Sequence, residues 1–204
     1  MTTHQTNAAW GRLEVIAGPM FSGKSEELMR RVRRATIAGV EVAVISHALD
    51  TRADLSTVTS HIGVNIPAIA VSDVAALAEV VEAGDYDLVA IDEAQFFGPE
   101  LVPLVTGLVA TGVTVIVEGL CVTFDGDPFE PMPTFMALAE DVLKLTAVCT
   151  ICGRDAVFHQ RIVAGAETGR DGDGPVGATE IDPSHVGGLE SYVARCREHF
   201  APIS

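Results

Sequence analysis

Gly18-Pro19-Met20-Phe21-Ser22-Gly23-Lys24-Ser25 fills the pattern G-x-x-x-x-G-K-[ST] at every fixed position. The flanks decide what it can build. Arg12-Leu13-Glu14-Val15-Ile16-Ala17 reads as a short buried strand and Glu26 through Ala38 as a helix, so the loop joins a strand to a helix N-terminus. Successive backbone N–H groups and the positive end of the helix dipole then converge on one point, where a polyphosphate is stabilised before any side chain contributes. Gly18 and Gly23 let the backbone curl close to the phosphate oxygens. Lys24 reaches the β- and γ-phosphates, and the Ser25 hydroxyl is placed to coordinate Mg²⁺. The chain is therefore expected to bind a nucleoside triphosphate.

Downstream, strand-like and helix-period stretches alternate. Val40 to Ile45, Asn65 to Val71, Asp87 to Ile91 and Val113 to Val117 read as strands; Val74 to Ala83, Pro99 to Ala110 and Pro133 to Thr146 read as helices. Parallel strands need crossover connections, so the alternation predicts an α/β fold, a mostly parallel sheet flanked by helices. From Ala147 the character changes to short strands, paired cysteines and a Gly/Asp-rich stretch from Gly165 to Gly177, which reads as a loop. Residues 1–146 are expected to form the nucleotide-binding part and 147–204 a small second lobe.

Tyr86-Asp87-Leu88-Val89-Ala90-Ile91 ends in Asp92 and Glu93, continuing through Ala94 and Gln95. This has the form of a Walker B strand. In an open α/β sheet, ligands sit beyond the carboxyl ends of the strands, which puts both acids beside the phosphate loop. Side chains alternate along a strand, so the two carboxylates can hold different tasks. Asp92 complements Ser25 at Mg²⁺, and Glu93 is left to accept a proton from an acceptor hydroxyl or to orient water.

Cys149-x-x-Cys152 and Cys196-x-x-His199 supply two ligands each, the arithmetic of a closed tetrahedral Zn²⁺ site with a structural role. Cys121 reads as a small buried apolar residue. With 28 acidic against 13 basic residues, a net charge of -15 repels a nucleic-acid polymer. Arg30, Arg31, Arg33 and Arg34 cluster on the helix after the phosphate loop as a solvated face, an intersubunit salt-bridge surface or an anion contact. No apolar run approaches the roughly 20 residues of a membrane span, and a cytoplasmic protein is expected.

Four strings taken together resemble the type II thymidine kinase family, the zinc-bearing P-loop deoxynucleoside kinases. They are Gly18 to Ser25, Ile91-Asp92-Glu93-Ala94-Gln95-Phe96-Phe97, Lys144 to Cys149, and Val186-Gly187-Gly188-Leu189-Glu190-Ser191-Tyr192. The resemblance runs from about Gly11 to His199 and implies a recombinase-like P-loop fold. It also implies transfer of the ATP γ-phosphoryl group to the 5′-hydroxyl of thymidine in nucleotide salvage, with Glu93 as general base. In the family a loop called the lasso encloses the base; the matching positions are Val186, Gly187, Gly188 and Tyr192, with His185 just ahead. Met20, Phe96, Leu120, Phe124 and Phe129 match the rest of the nucleoside pocket. Asp50-Thr51-Arg52 matches a segment near the phosphates, where Arg52 offsets charge on the transferring group or forms an ordinary surface ion pair. A homotetramer and feedback inhibition by thymidine triphosphate are implied as well.

The chain departs from the family pattern at Cys121, where bacterial relatives commonly carry Asp, and at Asp125, where Arg is frequent. Ala53-Asp54 follows Arg52 where an aromatic is common, and the connection from Ala164 to Pro183 is long, acidic and Gly-rich. Two alternatives stay open: an ATP-hydrolysing motor or nucleotide switch, which shares Lys24, Ser25 and Asp92, and a kinase that also accepts deoxyuridine or other deoxynucleosides.

Overall fold

A computed structural model describes residues 11–49, 57–59, 65–162 and 192–201. The strands of the main sheet are β1 (Leu13–Gly18), β2 (Val42–His47), β5 (Ile69–Val71), β6 (Leu88–Ile91), β7 (Thr114–Leu120) and β8 (Asp141–Lys144). They lie side by side in the order β5-β2-β6-β7-β1-β8, and every neighbouring pair is parallel. Between β2 and β5, β3 (Thr57–Thr59) and β4 (Asn65–Pro67) make a separate antiparallel pair.

Helices cover both faces, and strand alternation decides which residues each meets. Ile16, Leu88, Ala90 and Ile116 point to α1 (Lys24–Ile37), packing against its Leu28 and Val32. Their neighbours Val15, Ala17, Val89, Ile91, Val115 and Val117 point the other way, onto α2 (Val74–Glu82), α3 (Leu101–Ala110) and α4 (Met132–Leu138). Because each strand is buried on both faces, it reads as a continuous apolar run.

Two expected elements differ from those observed. The stretch Pro133 to Thr146, expected as one helix, ends its helix at Leu138 and becomes edge strand β8. The backbone of β1 needs a partner on that side, and β8 supplies it from Asp141 to Lys144, while the Glu140 carboxylate accepts the Leu13 N–H at 2.8 Å. Asn65 to Val71, expected as one strand, changes partners around Pro67, which pairs with β3 and has no N–H to carry the ladder on.

After β8 the second lobe is built from β9 (Ala147–Val148) with β10 (Asp155–Ala156), and β11 (Phe158–Arg161) with β12 (Tyr192–Arg195), both antiparallel. The Thr150 N–H donates to the Ala194 carbonyl at 3.2 Å and joins the two pairs. Among the described residues no helix is long and apolar enough to cross a membrane.

Candidate functional site

The phosphate loop leaves β1 and closes onto α1 through Gly23, whose φ of 82° lies in the left-handed region that glycine enters without steric cost. Phe21 holds φ 67° without that freedom, and its ring packs on the core of the second lobe. Ser22 Oγ donates to the Pro19 carbonyl at 2.8 Å, and Lys24 Nζ donates to the same oxygen at 3.3 Å. Lys24 is 7% exposed, so its charge requires a counter-charge, and Glu118 Oε1 stands 3.4 Å away.

Glu118 is a site residue that sequence reasoning missed. It is wholly buried on β7, the strand between β1 and β6, and its Oε2 accepts the Glu93 backbone N–H at 3.2 Å. The signal was a carboxylate one step beyond the apolar run Val113 to Val117, at a carboxyl-terminal strand tip.

Asp92 and Glu93 emerge where β6 ends, both buried, and the Asp92 N–H donates to the Ile45 carbonyl at 2.9 Å. Glu93 turns the chain with φ 51° and ψ 45° into a single 3₁₀ turn, Ala94–Phe97. Gln95 secures this step: its Nε2 donates to Glu93 Oε2, and its Oε1 accepts the Leu120 N–H at 3.0 Å. A Cβ on Gly119 would lie 2.5 Å from Gln95 Oε1, so any larger residue there would push that amide from its place. One cavity is lined by the loop from Met20 to Glu26 together with Glu93 and Leu120, so the structure brings phosphate loop, carboxylate and two of the expected nucleoside-pocket positions to one place.

Phe96 is half-buried and tilts toward His47, with ring centroids 5.9 Å apart. Burial lowers the His47 pKa, which keeps that ring neutral beside the aromatics. Phe124 and Phe129 are both half-buried; Phe124 lies in a loop closed by the bridge between Val122 and Pro128 and by Thr123 N–H to Asp127 O at 2.8 Å, and Phe129 at its foot donates its N–H to the Cys121 carbonyl at 3.2 Å. Cys121 is half-buried against the main core, and burial raises its thiol pKa, in keeping with an inert packing role. Tyr192 opens β12, buried, with its ring edge-on to His159. Asp50, Arg52, His185, Val186, Gly187 and Gly188 lie outside the described residues, as does the stretch from Gly165 to Gly177.

In the second lobe the ligand atoms of Cys149, Cys152, Cys196 and His199 all fall within 4.8 Å of one another. A tetrahedral zinc with bonds of about 2.3 Å to sulfur and about 2.0 Å to nitrogen sets S···S near about 3.8 Å and S···N near about 3.5 Å. The distances are 3.7 Å for Cys152 Sγ to Cys196 Sγ, and 3.7 and 3.2 Å from Cys149 and Cys196 Sγ to His199 Nδ1. The donor set fits the ion. Burial opposes the Cys149 thiolate, but backbone N–H groups of Cys196, Cys152 and Ile151 bring its pKa down to about 5, and Arg154 lowers that of Cys152; burial holds Cys196 up. Tight turns fix each half of the clasp, with Gly153 N–H to Cys149 O at 2.9 Å and His199 N–H to Cys196 O at 3.1 Å.

The chain is similar along most of its length to known proteins. Relatives named thymidine kinase include one from Deinococcus deserti, 50% identical over 198 residues, covering 93% of this chain and 94% of the relative. One from Coprothermobacter proteolyticus is 48% identical over 190 residues, 93% and 90% of the two chains. Another, from Deinococcus radiodurans, is 49% identical over 164 residues, 76% and 77%. With the thymidine kinase family model matching residues 11–200, which span both the phosphate loop and the Cys/His clasp, the chain belongs to the thymidine kinase family.

Proposed function

We propose that this chain transfers the γ-phosphoryl group of ATP to the 5′-hydroxyl of thymidine, giving thymidine monophosphate for nucleotide salvage. The observation that carries the reading is the cavity, about 20 Å³, that sets Glu93 beside the phosphate loop. An acceptor hydroxyl entering between them has a carboxylate on one side and the γ-phosphate on the other, as in-line transfer requires. Glu93 takes the hydroxyl proton as the new P–O bond forms. Lys24 and the loop N–H groups hold the β- and γ-phosphates in line, which is most of what catalysis of this loose transition state demands. Arg52, with Asp50, belongs to the same reading as a charge partner of the transferring group.

Ser25 and Asp92 offer the hard oxygen donors Mg²⁺ takes, hydroxyl and carboxylate. When bound, the cation neutralises charge on the β- and γ-oxygens. Met20, Leu120, Phe96, Phe124 and Phe129 cover the nucleoside, and His185 to Gly188 with Tyr192 enclose the base. We divide the chain at 146/147 into a nucleotide-binding domain and a zinc lobe carrying that enclosing loop. A cytoplasmic homotetramer inhibited by thymidine triphosphate completes the proposal.

The test is a coupled assay of ADP formation with Mg·ATP and a deoxynucleoside panel. Thymidine-dependent turnover is expected, with Glu93→Gln lowering kcat by about 10²- to 10⁴-fold while ATP binding persists. ATP turnover of equal rate without any nucleoside would replace this reading with a nucleotide switch.

A further inference from the structure

The phosphate-loop strand and the Walker B strand are not neighbours: β7 runs between β1 and β6 and presents its tip to both. Glu118 stands at that tip on the α1 side, two residues after Ile116, with no exposed surface. A carboxylate so buried is tolerated only where opposite charge or hydrogen bonds compensate it. Its two oxygens face the two groups on which the proposed reaction depends. Oε1 stands 3.4 Å from Lys24 Nζ as an ion pair without a hydrogen bond among the described residues, and Oε2 accepts the Glu93 N–H at 3.2 Å.

This placement has opposite consequences for the two partners. Lys24 is folded back onto Glu118 and the Pro19 carbonyl, so a polyphosphate must compete with a buried carboxylate for the same ammonium. That carboxylate also repels the phosphate charge, and its complete burial leaves the repulsion weakly screened. Glu93, by contrast, gains from the contact, because its left-handed turn is one that a residue with a Cβ rarely adopts and the anchored N–H holds it there.

We propose that Glu118 is a positioning residue that latches Lys24 in a neutral pair until nucleotide displaces it and fixes the backbone turn that presents Glu93 to the acceptor. The inference rests on the kinase reading of Lys24 and Glu93. Calorimetric binding of Mg·ATP to the full-length wild type, Glu118→Gln and Glu118→Ala proteins, with kcat for thymidine on each, separates the two readings. Glutamine keeps the shape and an acceptor oxygen for the Glu93 N–H but removes the charge, so Mg·ATP is expected to bind about tenfold tighter. A merely structural residue would not improve binding when replaced. Alanine also removes the anchor, and its kcat is expected to fall about tenfold below that of the glutamine variant, a loss the conservative change rescues. Equal or weaker ATP binding by Glu118→Gln overturns the latch, and equal kcat in the two variants overturns the anchoring of Glu93. Failure of the wild-type protein to bind Mg·ATP would instead remove the kinase reading itself.

Discussion

His159 on β11 is 2% exposed, and its Nδ1 has no hydrogen-bond partner among the described residues. Its ring stands edge-on to Tyr192 with centroids 5.7 Å apart. Burial, reinforced by the Lys24 ammonium, pushes its pKa down to about 4 from 6.5, so the imidazole stays neutral in the folded protein. The unfolded chain takes up this proton near pH 6.5 and the folded chain only near 4. Stability is therefore fully present above pH 6.5 and declines as pH falls toward 4, by roughly 3 kcal/mol from this group alone. Denaturant unfolding of wild type and His159→Leu between pH 7 and 4 measures this, since acid effects on the metal clasp are common to both. The variant is expected to lose about that much less stability, and parallel curves would refute the buried neutral ring. His159 was not legible as a site neighbour in the sequence, and Glu118 only as a carboxylate at a strand tip, because the groups each faces come from segments distant along the chain. The placement of Lys24, Asp92 and Glu93 at the ends of their elements, and each half of the Cys/His clasp, was legible because spacing within a short segment fixes where its side chains emerge.

Helix α1 shows how one element is tied to its neighbours by a single side chain. Arg31 binds Glu27 on its own helix at 2.9 Å, Glu14 on β1, and Asp141 on β8 at 2.9 Å. Of the arginine cluster read from the sequence, Arg31 is thus an intrachain tie with a side chain 14% exposed, whereas Arg30, 57% exposed, pairs only with Glu27 among the described residues. Removing Arg31 leaves three carboxylates facing each other at a half-buried corner. Arg31→Met should cost about 2 kcal/mol, between the values for exposed and buried pairs, and Arg30→Met clearly less, because its pair lies in solvent. Urea titrations at low and high salt check both; equal effects would mean that the tie carries no weight. The same corner explains why β8 was hidden in the sequence. Met132 to Thr146 carries no proline or glycine after Pro133 to mark where the helix ends, and only the open side of β1 makes Asp141–Lys144 a strand. Central strands β1, β6 and β7 were readable because burial on both faces leaves an unbroken apolar run.

At the scale of the whole molecule the second lobe and the phosphate loop share a boundary. Phe21 belongs to the phosphate loop, yet its ring packs on Ala147, Cys149, Ala156, Ala194 and Cys196. Two of those five are proposed zinc ligands. Nearby, Phe158 stacks on Phe200 with centroids 4.3 Å apart, and Gly126 of the loop holding Phe124 lies directly under Phe200. The left-handed backbone at Phe21 costs about 1 kcal/mol or more, and burial of its ring against a closed lobe offsets that cost. With the proposed zinc bound, a core of this size would depend on that ion to stay folded. Chelation should therefore melt the lobe, release Phe21 and weaken Mg·ATP binding about tenfold, with recovery when Zn²⁺ is restored. Phe21→Ala in zinc-loaded protein should reproduce the weaker binding without the melted lobe, which limited proteolysis would report. Full ATP affinity in chelated protein whose lobe is cut by protease would show that the phosphate loop holds its shape unaided.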